Sequence, residues 1–166
     1  LKFMHFDSAV LKILLITGFL SSLLSITQIE NYNHLLLFIV IVNTALVDIF
    51  AYIIGSRYGK TPLRQNISPN KTLEGLFGGL LSSMAFIALL FIFINLSSLM
   101  ALMILISSIF AFVGDYSISY LKRRSSIKDT GNILPGHGGI LDRVDSHLSA
   151  TTIFTFLYIF IKTSGI

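Results

Sequence analysis

Residues 35–54 read LLLFIVIVNTALVDIFAYII, an apolar run whose one charge is Asp48. A helix needs about 20 such residues to cross the hydrocarbon core of a bilayer. Within lipid it satisfies its own backbone N–H and C=O groups. The run therefore reads as a membrane-spanning helix. Four further segments carry the same signature, at 9–29, 75–96, 99–121 and 140–161. Lys2 precedes the first and Lys12 lies near its start, as in a signal peptide. Its apolar stretch is long and no small-x-small cleavage site follows it, so it reads as a span. The composition agrees. Of 166 residues, 54% are hydrophobic and 12% charged, against roughly 25% charged in a soluble domain. Such a chain is not an ordinary soluble enzyme, a disordered segment or a nucleic-acid-binding tail. Its net charge of +4 fits anchoring at a membrane surface. With no Cys, disulfides, thiolate nucleophiles and Cys-ligated metals are excluded. The expected architecture is all-α: a polytopic membrane protein of about five transmembrane helices with two long cytoplasmic loops, forming a single integral-membrane domain over 1–166.

The basic residues are distributed unevenly. The segment before the first span carries Lys2, and Lys12 lies near that span's start. The segment after the second carries Arg57, Lys60, Arg64 and Lys71, and the segment after the fourth carries Lys122, Arg123, Arg124, Lys128 and Arg143. The intervening connections, near Glu30 and Ser97, have no Lys or Arg. The positive-inside rule places the rich segments, and with them the N-terminus, in the cytoplasm. Both long polar segments, 55–74 and 122–143, then face the cytosol. Being basic and rich in Gly and Pro, they suit an anionic cytosolic ligand.

Carboxylates are costly inside a span, about 2.5–3.5 kcal/mol on the insertion scale. Asp48 and Asp115 nevertheless sit late in their spans, and Asp142 and Asp145 sit at the start of the last one. All four converge at one depth. Asp115, Ser119 and Lys122 share a helix face; so do Asp142, Asp145 and Ser149, and so do Asp48 and Tyr52. Three polar stripes turned away from lipid would form a cavity open to the cytosol. Acids among so many cations point to Mg²⁺ and phosphate chemistry, nucleotidyl or phosphoryl transfer, rather than to a proton relay. More modest roles remain for several residues. Lys71 and Glu74 read equally as a surface pair of little worth, Arg124 as a stop to span four, and Ser82 and Ser83 as small residues that ease helix packing.

The densest segment is 114–145, GDYSISYLKRRSSIKDTGNILPGHGGILDRVD. It resembles the signature of the phosphatidate cytidylyltransferases, the bacterial CDP-diacylglycerol synthases. The matching residues are Ser119, Lys122, Arg123, Lys128, Asp129, the Pro135–Gly139 loop, Asp142, Arg143 and Asp145. Upstream, Asp48, Ala51, Tyr52, Gly55 and Arg57, and then Ser68, Pro69, Lys71, Thr72, Glu74 and Gly75, resemble two further elements of that family. The motif-bearing part covers about 43–163. Ile118 stands where the family has Glu, and His147 where it has an apolar residue. Most bacterial members carry additional N-terminal spans, so the resemblance implies a short or N-terminally truncated member.

What the resemblance implies is cytidylyl transfer from CTP to phosphatidic acid, giving CDP-diacylglycerol and pyrophosphate in phospholipid biosynthesis. It implies Mg²⁺, as one ion or two, held by Asp115 and Asp142 with Asp145 as a third partner. Lys122, Arg123, Lys71 and Lys128 would meet CTP phosphates, and Ser119 and Ser68 would hydrogen-bond phosphate oxygens. Gly136, His137, Gly138 and Gly139 would line the nucleotide pocket, and Asp48 would orient a cation or join the metal shell. The implied partners are CTP, phosphatidic acid and the lipid bilayer, with no nucleic acid; members often dimerise, which adds a second copy of the chain. The implied location is the bacterial cytoplasmic membrane. The rival readings are a CTP-dependent polyprenol or phytol kinase, an ion-coupled transporter, and an inactive membrane relative.

Overall fold

A computed structural model describes residues 33–64, 68–124 and 141–164, apart from the side chains of 33, 34, 64, 69, 70 and 141–144. The elements are α1 (Asn33–Tyr58), β1 (Pro62–Arg64), β2 (Ser68–Thr72), α2 (Leu73–Ile94), α3 (Ser98–Arg124) and α4 (Leu141–Ser164). The expected span at 9–29 lies outside the described residues, as do Lys128, Gly136, His137, Gly138, Gly139 and the side chain of Asp142.

Three of these helices, over Leu35–Tyr58, Leu73–Ile94 and Ser98–Arg124, are long and apolar enough to cross a bilayer. The protein is an all-α membrane protein. The expectation of about five spans meets three among the described residues. At 24 residues α4 is long enough, but His147, Ser149, Thr151, Thr152, Thr155 and Lys162 dilute its apolar character. Thr151 and Thr155 are buried against the other helices, where the Thr151 hydroxyl donates to the His147 carbonyl.

The surface is apolar, as lipid requires. Phe38, Leu81, Ile92 and Phe93 are all more exposed than buried. The interior mixes apolar residues such as Val40, Ile104 and Phe154 with small and polar ones. α1 packs against α2, and α3 against α4. The first pair meets through Gly75, Gly78 and Gly79. A Cβ at Gly79 would stand 2.9 Å from the Val47 carbonyl oxygen, and one at Gly78 would strike Ile54. Without a hydrophobic driving force between helices in lipid, such close backbone approach supplies the packing energy. Gly114 does the same for the second pair, lying against Ser149.

A buried hydroxyl joins three helices. Ser108 on α3 accepts from Asn43 Nδ2 on α1 at 2.7 Å, lies 2.9 Å from the Ser83 hydroxyl on α2, and donates to the Ile104 carbonyl. A serine hydroxyl has one donor and two acceptor positions, and this arrangement uses all of them. Ser83 therefore does more than ease packing.

The segment 55–74, read as a loop from sequence, contains a short antiparallel hairpin with Pro62 opposite Thr72 and Arg64 opposite Ser68. Pro62 is tolerated because it opens its strand. Thr72 leaves the strand in extended geometry (φ −120°, ψ 157°) and caps α2, its hydroxyl accepting from the Gly75 N–H at 3.1 Å. At the other end of α2, Asn95 takes the left-handed conformation (φ 49°, ψ 48°) that lets the chain turn directly into α3.

Candidate active site

Where α1 ends and α2 begins, a pocket of about 240 Å³ opens between three helices and the hairpin. α1 supplies Asp48, Ala51 and Tyr52, β2 supplies Ser68, Lys71 and Thr72, α2 supplies Gly75 and Leu76, and α3 supplies Phe112 and Asp115. Four residues singled out from sequence, Asp48, Ser68, Lys71 and Asp115, thus come together from three separate segments.

Lys71 lines the pocket and pairs with α3. Its Nζ lies 2.6 Å from Asp115 Oδ2, 5.7 Å from the centre of the Phe112 ring and 6.0 Å from that of Tyr116. Phe112, Asp115 and Tyr116 occupy positions i, i+3 and i+4 of α3, so one helix face presents a carboxylate flanked by two π-faces. The ammonium nitrogen has no contact with solvent. The pairing of Lys71 with Glu74, open from sequence, does not occur. Glu74 turns to the hairpin, where its carboxylate accepts from the Thr61 hydroxyl at 2.7 Å and the Thr61 N–H at 3.3 Å.

Asp48 has a partner that sequence reading missed. The Ser146 hydroxyl on α4 donates to Asp48 Oδ2 at 2.7 Å, across 98 residues of sequence. Ser146 and its neighbour Asp145 are 3% and 5% exposed, and the Ser146 N–H donates to Asp145 Oδ1 at 2.8 Å. Asp48 thereby fastens α1 to the start of α4. Asp145 does not line the pocket, but Asp115 is within electrostatic reach of both Asp48 and Asp145. Ser119, Lys122 and Arg123 follow Asp115 along α3 and lie outside the pocket lining. Among the described residues, no three acidic or histidine side chains stand close enough together to hold a metal ion.

The aromatic pair was legible in principle from the Phe112, Asp115, Tyr116 spacing. Ser146 had no such signal, because nothing local in its sequence points to Asp48.

The pocket thus joins the Asp48, Ser68–Gly75 and Asp115 elements, and the pattern of the cytidylyltransferase family matches residues 2–162. The chain belongs to the cytidylyltransferase family. Among its relatives, a phosphatidate cytidylyltransferase of Staphylococcus epidermidis is 41% identical over 136 residues, 80% of this chain and 52% of its own length. One from Staphylococcus haemolyticus is 46% identical over 117 residues, 69% of this chain and 45% of its own. One from Bacillus subtilis is 38% identical over 137 residues, 81% of this chain and 51% of its own. The chain spans about half the length of the curated relatives it matches. In this cytidylyltransferase-family chain, the described pocket lies wholly within the matched region.

Proposed function

We propose that the protein transfers a cytidylyl group from CTP to phosphatidic acid, giving CDP-diacylglycerol and pyrophosphate. The carrying observation is the pocket itself, with a buried cation, two carboxylates and hydroxyls at the end of membrane-spanning helices. The names of the relatives supply the reaction class. In this reading a phosphate oxygen of the lipid attacks the α-phosphorus of CTP in line. The new P–O bond forms as the bond from the α-phosphorus to the bridging oxygen breaks, and pyrophosphate leaves. The nucleophile is already an anion, so no strong general base is needed; the protein's task is to align and neutralise two polyanions.

Lys71, Lys122, Arg123 and Lys128 are the cations proposed for that task, with Ser68, Ser119 and the Gly136–Gly139 backbone as hydrogen-bonding partners. Carboxylate oxygens are hard donors of the kind Mg²⁺ takes, and Asp115, Asp142 and Asp145 are the residues proposed to hold it, as one ion or two. Bound there, it would offset charge on the phosphates. The same reading sets the protein in the bacterial cytoplasmic membrane with the basic segments cytosolic, and allows a homodimer.

The test is formation of CDP-diacylglycerol from CTP and phosphatidic acid by purified protein in detergent, with and without Mg²⁺. Product that depends on Mg²⁺ and falls about 100-fold or more in Asp115→Asn is the expected result. Absence of product from folded, lipid-supplied protein refutes the reaction. Product formed only with a lipid alcohol as acceptor would indicate the kinase chemistry instead.

A further inference from the structure

Halfway through the bundle lies a layer of polar side chains. Ser108 stands about 15 Å along α3 from Ser98, half of a hydrocarbon core of about 30 Å. Around it α1 supplies Asn43 and Thr44, α2 supplies Ser83, and α3 supplies Ser107, all of them buried. α4 supplies Thr155, also buried. α3 and α4 pack antiparallel, with Gly114 against Ser149. From that contact Ser108 lies six residues back along α3 and Thr155 six residues on along α4, which brings them to one depth. Buried apolar residues close the layer on both sides. Val40 and Ile104 lie on the side away from the pocket, Ala111 and Ala150 on the side toward it.

Within this layer the Asn43 carboxamide oxygen and the Thr155 hydroxyl have no hydrogen-bond partner among the described residues. Thr44, Ser107, Ser108 and Thr151 each donate to the carbonyl four residues back, a usual way to satisfy a hydroxyl inside a helix. Thr155 does not. The Asn43 amide nitrogen is spent on Ser108, so its oxygen has to find a donor elsewhere. An acceptor and a donor are thus left over in one closed layer, where hydrocarbon offers neither a substitute. They do not bond each other directly. A molecule that donates and accepts at once satisfies both. Water does so, taking the Thr155 proton and giving one of its own to Asn43 Oδ1. Its second proton has the lone pairs of Ser83 to go to. The single proton of Ser108 is used on Ile104, so Ser83 donates in the Ser83–Ser108 contact and keeps those lone pairs. That makes about three bonds, the usual number for a buried water. The serines at 83, 107 and 108 are small, which suits an occupant of about 30 Å³. With no carboxylate among the described residues of the layer, a cation there would be an unbalanced charge at mid-membrane.

We infer that this layer is a binding site for an ordered water, which bridges Asn43 on α1 to Thr155 on α4. The water extends the Ser108 junction from three helices to four. It is independent of the pocket and of the reaction proposed above. Its role is to tie the lower half of α4 to α1, as the Ser146–Asp48 bond ties the upper half.

The test is Thr155→Val, which keeps the shape and removes the hydroxyl, in reversible unfolding of the full chain in mixed micelles. A bridging water loses a partner in this variant, and the unfolding equilibrium constant should rise about threefold, the size of an average interhelical hydrogen bond in a membrane. A hydroxyl with no water beside it gives the opposite sign. Removing an unpaired buried hydroxyl leaves the constant unchanged or lowers it, and that result overturns the inference. In an Asn43→Leu background Thr155→Val should no longer destabilise, because the bridge is already broken; an undiminished effect there also overturns it. Replacing Na⁺ by choline in the buffer should leave the unfolding midpoint in place, whereas a shift would mean a cation instead of a water. A density map that resolves ordered waters checks the site without any variant. It should show a peak within hydrogen-bond distance of both Asn43 Oδ1 and Thr155 Oγ1. A direct Thr155–Asn43 bond, or an empty layer, refutes the water.

Discussion

The hydrogen bond from Ser146 to Asp48 can be tested as a pair. It is a hydroxyl donating to a carboxylate at 2.7 Å, with Ser146 buried. Hydrogen bonds to charged groups contribute about 1.5–3 kcal/mol in protein interiors. Between helices in a membrane the measured average is nearer 0.6 kcal/mol, because the unfolded chain in lipid finds other partners. A charged acceptor at short distance belongs toward the upper end of that membrane range, so a coupling of about 1–2 kcal/mol is expected. The perturbations are Asp48→Ala, Ser146→Ala and the double variant. The assay is reversible unfolding in mixed micelles with rising sodium dodecyl sulfate, followed by far-ultraviolet circular dichroism. Each single variant should destabilise, and the double variant should cost less than the two losses added, by the coupling energy. Ser146→Thr, which keeps a hydroxyl, should recover part of the loss. If the single effects add to within about 0.5 kcal/mol, the bond contributes nothing and the account of how α1 is fastened to α4 is wrong.

Two further outcomes concern the bundle. Ser108→Ala removes the hydroxyl shared by Asn43 and Ser83 and should cost about 1 kcal/mol in the same unfolding assay, whereas Ser117→Ala, at an exposed position of the same helix, should stay within about 0.5 kcal/mol of the parent. Gly79→Val places a side chain against the Val47 backbone oxygen, which cannot move aside; a loss of about 1–3 kcal/mol is expected, with Leu81→Ala on the exposed face as the mild comparison.

Much of this was readable without coordinates. Long apolar runs can lie in lipid only with their backbone groups paired internally, so residues 35–54, 75–96 and 99–121 had to be helices, and the observed elements differ from them by a few residues at each end. A charge inside such a run is expensive enough to need a reason, which is why Asp48 and Asp115 stood out beside Lys71 and Ser68. Family membership was legible for a related cause: the motif residues stand at fixed spacings within short stretches of sequence.

Partner choice was not readable, because it depends on how each helix is rotated and how deeply it sits against the next. Lys71 and Glu74 lie three residues apart, yet the hairpin carries Lys71 across to Asp115 and the capped start of α2 turns Glu74 back to Thr61. Ser146 meets Asp48 where α4 packs closely on α3 at Gly114 and its start lies beside α1. Asn43, Ser83 and Ser108 each read as an ordinary polar residue in an apolar run until three helices meet around one hydroxyl. Local sequence determined which segments are helical and which residues place a charge in an apolar run, since both follow from backbone pairing and the cost of charge in lipid. Tertiary packing decided which of those residues face one another, since interhelical contacts at glycines and hydroxyls help set the rotation and depth of the described helices.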